Sequence, residues 1–109
     1  MVMSETEFKD FVQEIIIQIE DALEELDNGI DYESSDGILT IFMTDKSQII
    51  INRQTAALQL WLAAKSGGFH FDYNEAKGWQ NDRNGERFID TLNRCLSEQA
   101  NEKIELNLE

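Results

Sequence analysis

Four carboxylates crowd one short stretch of this chain: Glu20, Asp21, Glu24 and Glu25. Carboxylate oxygens are ligands for hard cations such as Ca²⁺, Mg²⁺, Mn²⁺ and iron, and a cluster of them also suits a basic protein surface. Glu20 and Glu24 are four residues apart, as are Asp21 and Glu25, so on a helix each pair meets on one face and repels by about 0.2–0.5 kcal/mol. The cluster falls at the C-terminal end of a predicted helix, where the macrodipole favours cations. A sequence tuned for stability alone would carry Lys or Arg there. The plain alternative is a solvated face that serves solubility. Neither an EF-hand loop nor a Glu-x-x-His pair accompanies these acids, and one helix face does not wrap a cation with six oxygens. A metal here is therefore expected to bind weakly and to keep several waters.

The other reactive side chains form no catalytic set. His70 is the only histidine, with Asp72 two residues on, and no nucleophile stands beside them. A hydrogen-bonded surface histidine is the expectation. Ser47, Ser66 and Ser97 lack a G-x-S-x-G context. Cys95, the single cysteine, falls on or beside an apolar stripe and is expected to be an inert buried thiol. One cysteine excludes an internal disulfide and a CxxC site. Gly67-Gly68 lacks the helix and lysine that would hold a phosphate.

The elements that position these residues follow from periodicity. Ser4 to about Leu26 has helical period, with Phe8, Phe11, Val12, Ile15, Ile19, Leu23 and Leu26 on one stripe. Ser4 with Glu7 is a capping box, and Asn28-Gly29 predicts a left-handed stop. From Ile30 the period becomes two. Strands are predicted at 30–33, 38–44, 48–54, 58–64, 69–73 and 79–83, with turns at Asp36-Gly37, 45–47 and Gly67-Gly68. Helical period returns from Asn84 to about Ala100, with Phe88, Leu92, Leu96 and Cys95 inward. Residues 103–108 alternate as a strand or a tail. Strands joined by short turns are antiparallel. The order predicts an α+β fold, a two-layer sandwich with the N- and C-terminal helices on one face of the sheet.

Alternation also assigns the sheet's faces. Leu60 and Leu62 share one, as do Ile49 and Ile51. Asn52, Gln54, Gln59, Trp61, His70 and Asp72 fall on the opposite, open face. A tryptophan there is either a binding hot spot or a ring laid across neighbouring strands.

Composition narrows the partners. In 109 residues, 22 Asp and Glu face 9 Lys and Arg, a net charge of −13. Twelve of those acids, against Lys9 alone, lie between Glu5 and Asp36. Nucleic acid and anionic membrane are polyanions and are excluded as direct partners. At 41% hydrophobic residues the chain is no disordered acidic tail, and its length suits one domain, 1–109. No run is long enough to span a bilayer, and the start resembles neither a signal nor a transit peptide, so a cytosolic protein is expected.

The stretches IIINRQ (49–54), QLWLAAKSGGFHFD (59–72), and Trp79 with DRNGERF (82–88) resemble the frataxin family, most of all its bacterial, CyaY-type members. The likeness runs over essentially the whole chain. It implies a non-enzymatic role in iron–sulfur cluster assembly. It implies weak binding of Fe²⁺ and Fe³⁺, and of other divalent cations, at positions matching Glu20, Asp21, Glu24 and Glu25 on the helix and Asp31 and Glu33 on the first strand. The same ridge, with Glu20, Asp21 and Glu24, would dock the cysteine desulfurase IscS. Asn52, Arg53, Gln54 and Trp61 match positions that meet the desulfurase complex with its scaffold IscU. A bacterial cytoplasmic monomer is expected. Two other readings stand beside this one: iron storage or ferroxidase activity in iron-driven oligomers, and a purely electrostatic acidic adaptor.

Overall fold

The computed structural model describes residues 3–108. Helix α1 (Glu5–Glu24) opens on the expected capping box. The Ser4 hydroxyl accepts from the Glu7 N–H at 3.1 Å, and the Glu7 carboxylate accepts from the Ser4 N–H at 3.0 Å. Its buried stripe is Phe8, Val12, Ile16, Ile19 and Leu23. Phe11, Ile15 and Leu26, expected on that stripe, pack half-buried at its margin. The run Ile15-Ile16-Ile17 is apolar all round, so spacing alone did not orient it. The sheet draws in Ile16 and leaves Ile17 45% exposed.

The helix ends before the predicted stop. Glu25 and Leu26 donate to Ala22 and Leu23, three residues back, which tightens and closes the last turn. Asp27 (φ 41°) then takes the first left-handed conformation and Gly29 (φ 86°) the second.

Six strands follow: β1 (Asp31–Ser35), β2 (Ile38–Phe42), β3 (Gln48–Gln54), β4 (Gln59–Ala64), β5 (Gly67–Asn74) and β6 (Gly78–Asn81). They form one sheet in the order β1-β2-β3-β4-β5-β6, each antiparallel to the next. Asp36 and Gly37 both have positive φ, the two-residue hairpin turn that matches strand twist. A Cβ on Gly37 would lie 2.8 Å from the Arg53 guanidinium carbon and push that flexible end aside, but it is the φ of 81° that calls for glycine here.

Helix α2 (Phe88–Ala100) then crosses the same face of the sheet as α1. The facing aliphatic side chains Leu39, Ile41, Ile49, Ile51, Leu60 and Phe71 are fully buried, and Leu62 is 1% exposed. This is the two-layer α+β sandwich that the element order predicts.

Several boundaries differ from expectation, and the last segment takes the tail form of its two expected ones. Gly67 and Gly68 do not turn; they open β5, paired with Ala64 and Ala63, and Lys65-Ser66 makes the turn. A single 3₁₀ turn (Thr55–Ala57) with left-handed Leu58 (φ 52°) delays β4 to Gln59. The second helix starts at Phe88, not Asn84, because the Asn81 side chain accepts from the Arg83 and Asn84 N–H groups and holds a turn there. Residues 103–108 form no strand. Their backbone pairs instead with side chains of α2, Ile104 with Ser97 and Leu106 with Asn93, which seats both apolar residues in the core.

The β2–β3 turn carries an acid-sensitive contact. Asp45 accepts from the Ser47 hydroxyl, from the Lys65 ammonium at 2.9 Å and from the Ser47 N–H at 2.8 Å. These donors, the Ser47 hydroxyl first, hold its carboxyl well below the usual carboxylate range. A depressed pKa contributes stability above the unfolded carboxylate's pKa of about 3.9, and that contribution is lost as pH falls below it. Urea unfolding from pH 5 down to pH 2 is expected to show a shallower loss of stability in Asp45→Asn than in the wild type. Identical slopes would mean that the contact is not formed in solution.

Candidate functional site

The acidic end of α1 lies along the edge strand β1. The Tyr32 hydroxyl donates to Glu24 Oε1 at 2.5 Å, and the Ser34 hydroxyl donates to Glu20 Oε2 at 2.7 Å. Glu20 and Glu24 are one helical turn apart, and Tyr32 and Ser34 share a face two residues apart, so the spacings match. The Tyr32 phenol is pushed up to about 12, chiefly by its bond to Glu24, then by desolvation and the charges of Glu24, Glu20 and Asp21.

Alternation sends Asp31 and Glu33 to the other face of β1, away from this seam. Asp21 and Glu25 border a shallow depression with Gln18, Ala22, Asn107 and Leu108. The six expected acids thus occupy three places: Glu20 and Glu24 in the seam, Asp21 and Glu25 beside the tail, Asp31 and Glu33 on the open face. Among the described residues no group of three or more His, Cys, Asp or Glu side chains is set to enclose a metal ion.

The same acids lack neutralising partners. Four ion pairs occur among the described residues, Lys9–Glu5, Arg53–Asp36, Lys65–Asp45 and Arg94–Glu86, and His70 lies 4.0 Å from Asp82. None involves Glu20, Asp21, Glu24, Glu25, Asp31 or Glu33. The groups that hold Glu20 and Glu24 are neutral hydroxyls, which orient the carboxylates without cancelling their charge.

The open face of the sheet carries a cross-strand row. Ile38 stands opposite Asn52, Asn52 opposite Trp61, and Trp61 opposite His70. The Trp61 and His70 rings stack, with centroids 4.2 Å apart and planes 15° from parallel. Trp61 is thus laid across its neighbouring strand and still half-exposed. Its indole N–H donates to Gln59 Oε1 at 2.9 Å, and Gln59 Nε2 donates to Asp72 at 3.0 Å and to Asp82 at 3.2 Å.

Two expectations change here. Among the described residues the His70 imidazole makes no hydrogen bond, and Asp72 is not its partner. Gln59, directly opposite Asp72 in the register, takes that carboxylate, while the acid nearest His70 is Asp82, 4.0 Å from Nδ1. Arg53 does not join Asn52, Gln54 and Trp61. It shares the parity of Ile49 and Ile51, and its guanidinium lies over Gly37, 3.5 Å from Asp36.

Gln59, Asp82, Tyr32 and Ser34 were not singled out as functional in the sequence. The alternation of DYESS places Tyr32 and Ser34 on one face, but their meeting with α1 is tertiary. Cys95 is buried as expected, and burial pushes its thiol pKa up.

A helix-covered antiparallel meander thus carries an unneutralised acidic ridge at one edge and a half-buried tryptophan on its open face. The frataxin-like domain family matches residues 1–102. The iron-sulfur cluster assembly protein CyaY of Pseudomonas aeruginosa is 45% identical over 104 residues, covering 94% of this chain and 96% of that protein. The solved frataxin of Psychromonas ingrahamii superposes with a TM-score of 0.88 at 32% identity, covering 96% of this chain and 99% of that one. A trimeric yeast frataxin complexed with ferrous iron aligns with a TM-score of 0.68 at 26% identity, covering 94% of this chain and 90% of its own. The chain belongs to the frataxin family.

Proposed function

We propose that this protein is a bacterial, cytoplasmic, non-enzymatic regulator of iron–sulfur cluster assembly, folded as one domain over 1–109. It binds Fe²⁺ and Fe³⁺ weakly through Glu20, Asp21, Glu24, Glu25, Asp31 and Glu33. It docks on the cysteine desulfurase IscS through the ridge, and Asn52, Gln54 and Trp61 contact the complex with the scaffold IscU, where the protein modulates sulfur transfer. Arg53 contributes from the adjoining hairpin.

The observation that carries this reading is the ridge's uncompensated charge: six carboxylates with no basic partner within 4 Å among the described residues. Such a surface steers a basic partner and is screened by salt. The names of the relatives supply the pathway.

The test is a ¹⁵N-correlation titration of the labelled protein, with anaerobic Fe²⁺ and then with purified IscS. Residues 20–25, 31 and 33 are expected to broaden with iron, and the same helix face is expected to disappear into the IscS complex. Iron effects confined to other residues would remove the metal role. Unchanged spectra with both ligands would remove the whole reading.

The trimeric, ferrous-bound yeast relative favours a second reading, assembly under iron load. Sedimentation velocity with excess Fe²⁺ distinguishes it: a trimer or larger species supports storage, and a persistent monomer supports regulation.

A further inference from the structure

We propose that His70 is the positioning residue for Trp61 and makes the open face of the sheet sensitive to protons. This rests on the reading above, in which Trp61 contacts the desulfurase–scaffold complex.

Trp61 is held from two sides. Gln59 fixes the indole N–H, and the imidazole of His70 supports one face of the ring at 4.2 Å. The groups facing His70 are few. β4 supplies Trp61 and Gln59, which are uncharged. The segment after β6 supplies Asp82, whose N–H donates to the His70 carbonyl at 2.9 Å and whose carboxylate is 4.0 Å from Nδ1. His70's own strand supplies Asp72, which is engaged by Gln59. No other carboxylate lies within 4.0 Å of a His70 ring nitrogen among the described residues.

Histidine changes charge between about pH 5 and pH 8. Neutral, the imidazole is a flat shelf beneath the indole and has no charge to offer Asp82. Protonated, it is a cation between two complementary groups: the negative face of the Trp61 ring on one side and the Asp82 carboxylate on the other. The His70 and Asp82 side chains are 45% and 29% exposed, so protons reach the pair freely while solvent screens only part of the contact. The cation draws Asp82 in and pins the indole in the orientation seen here. A partner that covers the outer face of Trp61 then meets a ring already ordered, which lowers the entropy cost of docking. Acidification therefore tightens docking at this face.

Two measurements test this. In Trp79→Phe the indole emission comes from Trp61 alone, because the chain has two tryptophans. Its fluorescence is expected to change in a single step on acidification, and to be flat in Trp79→Phe/His70→Gln. If Trp79→Phe fails to fold, the Trp61 indole N–H resonance of the wild type and of His70→Gln reports the same titration. A Trp61 signal that ignores pH while His70 is present overturns the proposal.

The second measurement is affinity for the purified desulfurase–scaffold complex at pH 6 and pH 8. Wild type is expected to gain about two- to five-fold more from acidification than His70→Gln does. Equal gains also overturn the proposal. Absence of binding at either pH would instead sink the functional reading, and the Trp61 titration would still decide the role of His70.

Discussion

Reversal of Glu20, Asp21, Glu24 and Glu25 to lysine is expected to abolish docking on the desulfurase. The change turns four negative charges into four positive ones at the end of the helix where no compensating base stands among the described residues. Electrostatic steering of this kind contributes about 10- to 1,000-fold to association rates, so at low salt the rate is expected to fall by about 100-fold or more. The wild-type rate falls as salt is raised, whereas the reversed variant's residual rate rises. Stopped-flow association at two ionic strengths reads both effects. The corresponding glutamine and asparagine variant is the internal control. Amides at 20 and 24 still accept from Ser34 and Tyr32, so the seam stays closed while the charge is gone, and an intermediate rate is expected. If full reversal leaves the rate and its salt dependence unchanged, the ridge does not dock the partner. The fold should persist in either variant, because Asp21, Glu24 and Glu25 are exposed and Glu20 is only half-buried.

The largest effect on stability is expected on the other side of β4. Leu60 and Leu62 are 0% and 1% exposed beneath the helices, and truncation of either to alanine is expected to cost about 2–5 kcal/mol, the sum of lost transfer energy and a cavity. For a chain of this size each kcal/mol lowers Tm by about 4–8 °C, so the variants should melt at least about 8 °C below the wild type. Trp61→Ala, one residue away on the opposite face, loses one stacking partner and one hydrogen bond to Gln59, about 1–3 kcal/mol together. It should nevertheless impair docking more than either leucine variant measured below its own melting temperature. This crossing of rankings, stability against docking, separates a surface built for a partner from an ordinary face. A Trp61→Ala variant that docks normally would leave the acidic ridge as the whole interface and favour the electrostatic adaptor.

The two β4 faces were legible because a strand's side chains alternate with period two, and that period survives without any knowledge of neighbours. The same holds for the capping box at Ser4 and the Asp36-Gly37 turn, whose hydrogen bonds span only a few residues. Where several local solutions were nearly equal, tertiary packing chose among them. The isoleucine triplet at 15–17 offered three candidate core positions, and the sheet selected Ile16. Gly67-Gly68 has the conformational freedom to turn, but pairing with Ala63 and Ala64 absorbed it into β5. Residues 103–108 alternate like a strand but pair with none, and Ser97 and Asn93 supply the hydrogen bonds instead.

The site divides along the same line. The clustering of carboxylates at the end of α1, and the placement of Asn52, Gln54, Gln59, Trp61, His70 and Asp72 on one face, were determined by sequence, because charge and parity are local properties of the chain. Only the tertiary structure decided which groups meet: Tyr32 with Glu24, Ser34 with Glu20, Gln59 with both Asp72 and Asp82, and His70 beneath Trp61. It also separated Asp31 and Glu33 from the helix acids, and Arg53 from Trp61. Those contacts join residues 8 to 23 positions apart, and their geometry depends on strand register and on the docking of α1 against the sheet edge. Burial of the whole apolar face sets both, so no single segment carries the information alone.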